Sequence, residues 1–433
     1  MKAPFSVNRP AWSARRPSRV LTAKCGSPFV LATSSATDTR SLEKWRTEGA
    51  RLSGSCKTRC EFEPNPRDTT YQVAKQLTST LAFRTEEHAV LKISIKSSSE
   101  DAREQRAFNL INERAAANAT HPGLRCLQRP LRDFIVESPR TGRHHCFLLT
   151  PSACHVEDAW RVLRDLPLSL AKEILVNALQ ALDFLHTECF LIHTDIKLDN
   201  VLFGFAGDFL EEYVHQLEKN PERSKIHHGK DGDEYPVTKA KPFIITKESF
   251  SIPQLNDLGE SVRIPKHNLG YAAPRVCSPK AFRAPEILLG RPFNASIDIW
   301  MIGCMTLQML TGKVPIMPHG INQPWTKAYT LAQHHALLGP PPQAFLEQSA
   351  ITRIYWDEQG KWIHPGHAIP DMSFEGLLTS VEDNKVRELA IDFVRSCMQW
   401  LPRDRLSARD LVKHPFLTAK KACLWEASEY GQE

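Results

Sequence analysis

The chain is 433 residues long, 42% hydrophobic and 24% charged, with a formal net charge of +6. This is an ordinary globular composition, enough for one large core or two smaller lobes, and so small a surplus of charge gives no reason to expect direct nucleic-acid binding. No uninterrupted apolar run approaches the roughly 18 residues of a membrane-spanning helix, so no membrane insertion is expected, and the chain is expected to be a monomer.

Residues 1–67 carry Ser, Thr, Arg and Pro without sustained apolar periodicity and read as a basic tail or linker. Lys2, Arg9, Arg15, Arg16, Arg19 and Lys24 all precede the first acidic residue, Asp38. That is the composition of an organellar transit peptide. The competing reading is a disordered basic tail, because Pro4, Pro10 and Pro17 interrupt any amphipathic helix. The 11 cysteines are scattered, form no CxxC pair, and read as reduced thiols. A cytoplasmic or nuclear location is therefore expected, with an organelle as the alternative.

Tyr71 to Leu77 alternates like a strand, and His88 to Ile95 is a second, more apolar one. Glu104, Ala107, Phe108 and Ile111 stand at helical spacing and predict a helix over 99–117. Cys146 to Leu149 reads as a buried strand. Leu168 to His186 is an amphipathic helix, with Leu170, Ile174, Leu175, Ala178, Leu179, Leu182 and Leu185 on its apolar side. A polar insertion follows over 207–253, and beyond Ala284 the chain reads as mostly helical to Leu417. An α+β protein results, in which a small strand-rich part (68–151) precedes a larger helical part (152–418), with 419–433 as a C-terminal tail.

The segment Leu191 to Leu202, LIHTDIKLDNVL, places His193, Asp195, Lys197 and Asn200 in one polar turn. Polar turns between a helix and a strand are common, but this combination at these spacings is not. A carboxylate such as Asp195 can orient an attacking hydroxyl, an ammonium such as Lys197 can neutralise a transferring phosphoryl group, and Asn200 with Asp257 offers hard oxygen ligands to a magnesium ion. Asp257-Leu258-Gly259 is an unremarkable tripeptide alone and gains weight only from its order after the loop. Arg283-Ala284-Pro285-Glu286, Asp298 within Ile297 to Trp300, and Arg405 within Leu401 to Ala408 follow. Upstream, Lys92 lies in the second strand ahead of the helix that carries Glu104, with Glu100 and Glu113 as alternatives to Glu104.

In this order the motifs resemble those of eukaryotic protein kinases. The resemblance covers roughly Tyr71 to Leu417 and implies a bilobal kinase-like fold, with a small strand-rich N-lobe and a large helical C-lobe, that uses ATP and Mg2+. It implies Asp195 as catalytic base with Lys197 beside it, and Lys92 on the α/β-phosphates, ion-paired with Glu104. Asn200 and Asp257 would hold the metal. Glu286 is expected to pair with Arg405, and Asp298 to tie the catalytic loop to the following helix.

Within the kinases, the stretch His193-Thr194-Asp195-Ile196-Lys197 is similar to the HTDIK of the SR-protein kinase (SRPK) family. The long insertion before Asp257 and the run Phe282 to Gly290 followed by Ser296 to Trp300 agree with it. This implies a serine/threonine protein kinase whose protein substrates are Arg/Ser-rich, although the sequence shows no clear acidic docking stretch. The phosphate-covering glycine loop departs from the family: residues 76–84 contain no glycine, and too few positions separate Leu77 from Lys92 for two strands and a hairpin. Either ATP is held weakly, or a short coding segment is missing. An active kinase, a pseudokinase acting as a scaffold and a small-molecule phosphotransferase are the competing readings. Ala284-Pro285-Glu286 and Arg405, which serve protein substrates, count against the last.

Overall fold

A computed structural model describes residues 22–24, 32–33, 88–93, 99–138, 142–163, 166–219, 225–228, 234–237, 250–264, 278–317 and 325–419. The expected strand at 71–77 and the glycine-free stretch 76–84 lie outside the described residues. In chain order the strands are β1 (Thr22–Lys24), β2 (Ala32–Thr33), β3 (His88–Ile93), β4 (Arg132–Ser138), β5 (Gly142–Leu149), β6 (Ser152–His155), β7 (Leu191–Ile192), β8 (Val201–Phe205), β9 (Lys225–His228), β10 (Glu234–Val237), β11 (Phe250–Leu255) and β12 (Val262–Arg263). The helices that matter for the site are α1 (Ser99–Ala117), α2 (Val156–Leu163), α3 (Leu168–Phe184), α4 (Phe209–Lys219), α5 (Pro285–Leu288), α6 (Ser296–Thr311), α7 (Lys327–Leu338) and α8 (Asn384–Cys397). Shorter single turns connect them.

The chain divides into two compact units. The first comprises Met1–Ala102, Arg129–Ser152 and Phe205–Ile244; the second comprises Arg103–Gln128, Ala153–Gly204 and Ile245–Glu433.

The first unit is built on a mixed sheet. β3 pairs antiparallel with β5, which places Lys92 opposite Phe147, and β5 pairs antiparallel with β4. The period-2 alternation of a strand sends Ala89 and Leu91 into a core with Val136, Cys146 and Leu148, and sets Val90 and Lys92 on the opposite side. Two short segments of the expected tail join this sheet: β1 runs antiparallel to β3, and β2 pairs with it in parallel. Part of the expected polar insertion is also ordered in this unit, as α4 and the hairpin β9–β10. His88 Nε2 meets Glu211 Oε1 of α4 at 2.6 Å.

The second unit is mainly helical. α3 buries Ile174, Leu175, Ala178, Leu179 and Leu182 of the face read from the sequence, together with Ala171 and Phe184; Leu185, just past its end, is buried too, whereas Leu170 is only half-buried. α6 is buried almost all round, from Ile297 to Met309, as expected of a central helix. Gly312, at φ 70°, closes it in the left-handed conformation that suits glycine. Gly123 allows the turn Pro122–Cys126 to lie against α3: a Cβ there would stand 2.1 Å from the Gln180 carbonyl oxygen. A second core joins Leu288 and Leu289 to Leu331, Phe345, Trp356, Trp400 and Leu401.

Two pairs of strands in this unit frame the polar loops. β7, which enters the loop at 193–200, pairs with β12, which leaves the turn after Asp257. β8, which leaves the loop, lies beside β11, which leads to Asp257. The two motifs are thus brought together from both ends, despite the long insertion between them in sequence. Among the described residues, no helix is long and apolar enough to cross a membrane.

Candidate active site

The loop after β7 is pinned by one buried carboxylate. Asp298, in the first turn of α6, accepts the backbone N–H of His193 on Oδ2 and that of Thr194 on Oδ1, each at 2.8 Å. His186, just beyond α3, approaches the same Oδ2 at 2.8 Å through Nε2. Thr194 sits at φ 69°, a region that costs a β-branched residue of the order of 1–3 kcal/mol. The paired amides and the bond from Thr194 Oγ1 to the Glu260 carbonyl oxygen, 2.9 Å, hold it there. The role expected of Asp298, tying the loop to the following helix, is present in these bonds.

Asp195 follows, 1% exposed. Its Oδ2 receives the Lys197 ammonium at 2.9 Å and Asn200 Nδ2 at 3.0 Å, and the same Nδ2 donates to the Asp195 carbonyl oxygen at 2.7 Å. His193 accepts the Asp195 N–H on Nδ1 at 3.3 Å, and its Nε2 lies 2.9 Å from the Asn256 carbonyl oxygen. The Asn256 N–H in turn donates to the Asn200 carbonyl oxygen at 2.9 Å. Asp195, Lys197, Asn200 and the residue before Asp257 therefore form one hydrogen-bonded cluster. Asp257 itself is left-handed, at φ 66° and ψ 74°, and Leu258–Glu260 turns away from it in a single 3-10 turn.

Asn200 and Asp257 offer an amide oxygen and a carboxylate, the hard oxygen donors that magnesium takes together with phosphate oxygens. The residues present fit such an ion. Lys92 and Glu104 fall in different units. Lys92 stands on β3, and Glu104 on α1 is 3% exposed. Of its two alternatives, the Glu113 side chain is 67% exposed beside Arg114, whereas the side chain of Glu100 lies outside the described residues.

Several residues around the loop carry no motif in the sequence. Arg103, one position before Glu104, donates through Nε to the Gly259 carbonyl oxygen at 2.9 Å and through Nη2 to Glu260 Oε2 at 3.2 Å. His155 Nδ1 lies 2.6 Å from the carbonyl oxygen of Asp199, inside the loop. Burial, then a hydrogen bond to Asp199 and the charge of that carboxylate, push the Glu157 carboxyl up to about 7, against the opposing pull of Arg161. The pairings of Arg103 with Gly259 and Glu260, and of His155 and Glu157 with Asp199, have no local sequence signal, since each joins residues far apart in the chain.

Glu286, at the start of α5, is closed by Arg405 as expected. Two parallel bonds of 2.7 Å join the guanidinium to both carboxylate oxygens, with both side chains fully buried. Arg405 also donates to the carbonyl oxygens of Ser296 and Gln399 and lies over the Trp300 ring at 5.1 Å.

A loop with a fixed carboxylate, ammonium and amide, an adjacent aspartate and a buried Glu–Arg clamp is the construction of a protein kinase. Residues 239–417 match the protein kinase domain family. The chain is 28% identical to a serine/threonine protein kinase of Aspergillus fumigatus over 360 residues, 81% of this chain and 85% of that one. It is 26% identical to the serine/threonine-protein kinase SRPK of Physarum polycephalum over 67% of this chain and 71% of that one. Against a serine/threonine-protein kinase of Arabidopsis thaliana the identity is 25%, over 60% of this chain and 51% of that one. The chain thus carries a match to the protein kinase domain, and the relatives it resembles are serine/threonine protein kinases.

Proposed function

We propose that this kinase transfers the γ-phosphoryl group of Mg-ATP to serine or threonine hydroxyls of Arg/Ser-rich proteins, as a divergent member of the SRPK branch. The observation that carries the reading is the Asp195 carboxylate: buried, and held on one oxygen by Lys197 and Asn200. A carboxylate fixed in this way can accept the proton of an incoming hydroxyl and hold its oxygen in line for attack. Lys197, ion-paired to Asp195, is at hand to balance charge on the moving phosphoryl group. Asn200 and Asp257 would hold magnesium, which when bound would neutralise charge on the phosphate groups. Lys92 would take the α/β-phosphates, with Glu104 as its ion-pair partner.

The SRPK assignment rests on the HTDIK sequence at His193–Lys197 and on similarity to the Physarum polycephalum kinase of that name. The thiols of Cys126, Cys146, Cys189, Cys304 and Cys397 are free and buried, which suits a cytoplasmic or nuclear protein. The test of substrate class is initial rates on three peptides of equal length: Arg/Ser repeats, Lys/Ser repeats and acidic Ser repeats. The Arg/Ser peptide is expected to be the best acceptor, and equal use of all three would remove the SRPK reading.

One observation favours a second reading, a pseudokinase scaffold: the absence of glycine from residues 76–84, where close backbone approach to phosphates normally needs it. Calorimetric titration with ATP and Mg2+ separates the two. Binding in the micromolar to low-millimolar range supports catalysis, and no binding at several millimolar supports the scaffold.

A further inference from the structure

The turn after Asp257 has little to hold it from within. Asp257 stands at a positive φ, and the three residues after it make a single turn closed by the Ser261 N–H and hydroxyl, both donating to the Leu258 carbonyl oxygen. Two of its restraints among the described residues come from other elements. Thr194 Oγ1, on the catalytic loop, reaches the Glu260 carbonyl oxygen. Arg103, on α1, grips the Gly259 carbonyl oxygen with Nε and the Glu260 carboxylate with Nη2. One planar guanidinium thus takes a backbone acceptor and a side-chain acceptor on consecutive residues, a fork that a lysine ammonium does not reproduce. The side chains are 34% and 13% exposed, so the contact is partly shielded from water, where charge-assisted bonds keep more of their strength.

We propose that Arg103 is a positioning residue. Through Gly259 and Glu260 it fixes the Asp257 turn against α1, and with Thr194 it locks the catalytic loop, the metal-binding turn and α1 into one arrangement. This rests on the kinase reading above for its consequence in catalysis, though not for its consequence in structure. It also gives Thr194, which stands where most kinases carry arginine, a purpose of its own: its hydroxyl completes the same lock. The Glu260 carboxylate is part of the chain itself, so Arg103 has an anionic partner without any phosphorylation of the segment.

The experiment uses the full chain and two readouts. The first is amide hydrogen exchange over Leu258–Val262, with the amides of α3 as internal control, in the wild type and in Arg103→Ala, Arg103→Lys, Glu260→Gln and the double swap Arg103→Glu/Glu260→Arg. The second is the Mg2+ dependence of phosphoryl transfer in the same proteins. Arg103→Ala is expected to speed exchange at Ser261 and to lower kcat/KM by about tenfold or more, the scale of one lost charge-assisted bond. It should raise the Mg2+ concentration at half-maximal rate while leaving the peptide KM in place. Arg103→Lys and Glu260→Gln should fall between, and the swap should recover part of the loss, because the ion pair returns but the bond to Gly259 does not. Unchanged exchange at 258–262 in Arg103→Ala would overturn the proposal, as would an unchanged Mg2+ requirement in an active protein. If Arg103→Ala fails to fold, Arg103→Lys and Glu260→Gln decide by the same readouts. If the wild type transfers no phosphate, the kinase reading fails, and the exchange data alone still uphold or reject the lock.

Discussion

Asp298 accepts the backbone N–H of Thr194 at 2.8 Å and so holds a β-branched residue at φ 69°, next to the buried Asp195 carboxylate. The other oxygen of Asp298 serves the His193 N–H and His186. One buried side chain thus satisfies three donors and offsets the strain of the catalytic loop. It does so from the rigid end of α6, which is why the loop needs no regular structure of its own.

Replacing Asp298 by Asn keeps the shape but leaves one acceptor oxygen and turns an amide NH2 toward a backbone N–H. Each buried donor left without a partner costs about 1–3 kcal/mol. Urea unfolding of Asp298→Asn is expected to show a loss of roughly 3 kcal/mol, together with a fall in kcat of at least about tenfold as Asp195 loses its fixed position. A variant with unchanged stability would show that the three bonds contribute nothing.

The Glu286–Arg405 pair predicts a graded response. Removing one partner of a buried, hydrogen-bonded ion pair costs about 3–5 kcal/mol, whereas an apolar replacement of both can approach neutrality. Arg405→Met should be worse than Glu286→Gln, because Arg405 also serves the Ser296 and Gln399 carbonyl oxygens. In a double-mutant cycle followed by chemical denaturation, Glu286→Leu/Arg405→Met should be more stable than the sum of the single losses implies. Simple additivity would contradict this.

His334 predicts a dependence on pH. It is fully buried, its ring lies 4.6 Å from that of Trp300, and neither ring nitrogen has a hydrogen-bond partner among the described residues. Burial, and secondly the charge of Arg405, push its pKa down to about 3. The unfolded chain therefore binds a proton near pH 6.5 that the folded protein refuses until about pH 3. Its contribution to stability is complete above pH 6.5 and is lost as the pH falls through that window, at up to about 1.4 kcal/mol per pH unit. The free energy of unfolding measured from pH 7.5 to 4.5 should fall more steeply for the wild type than for His334→Leu. Parallel curves would rule out the effect.

Much of the candidate site was legible in the sequence because its parts are local. His193 to Asn200 fit in one loop, and the helix expected over 99–117 is α1, whose apolar spacing is internal to the segment. Glu286, Arg405 and Asp298 were legible in a different way, through resemblance to kinases and not through any pattern of their own. The pairing of Arg103 with Glu260, the approach of His186 to Asp298 and the effect of Asp199 on Glu157 were not legible. They join residues brought together only by tertiary packing, and a lone Arg or His looks the same whether it faces solvent or a carbonyl oxygen. The joining of β1 and β2 to β3 was missed for a related reason: strands of two or three residues are too short to show a period.

The role proposed for Asp195, activation of the substrate hydroxyl, is open to a direct kinetic comparison. Single-turnover transfer from Mg-ATP to an Arg/Ser peptide should be slowed by about 100-fold or more in Asp195→Asn, the range that a general base contributes. ATP affinity should stay close to that of the wild type, because Asn200 and Asp257 are intact. Equal transfer rates in the two proteins would mean that Asp195 is not the base.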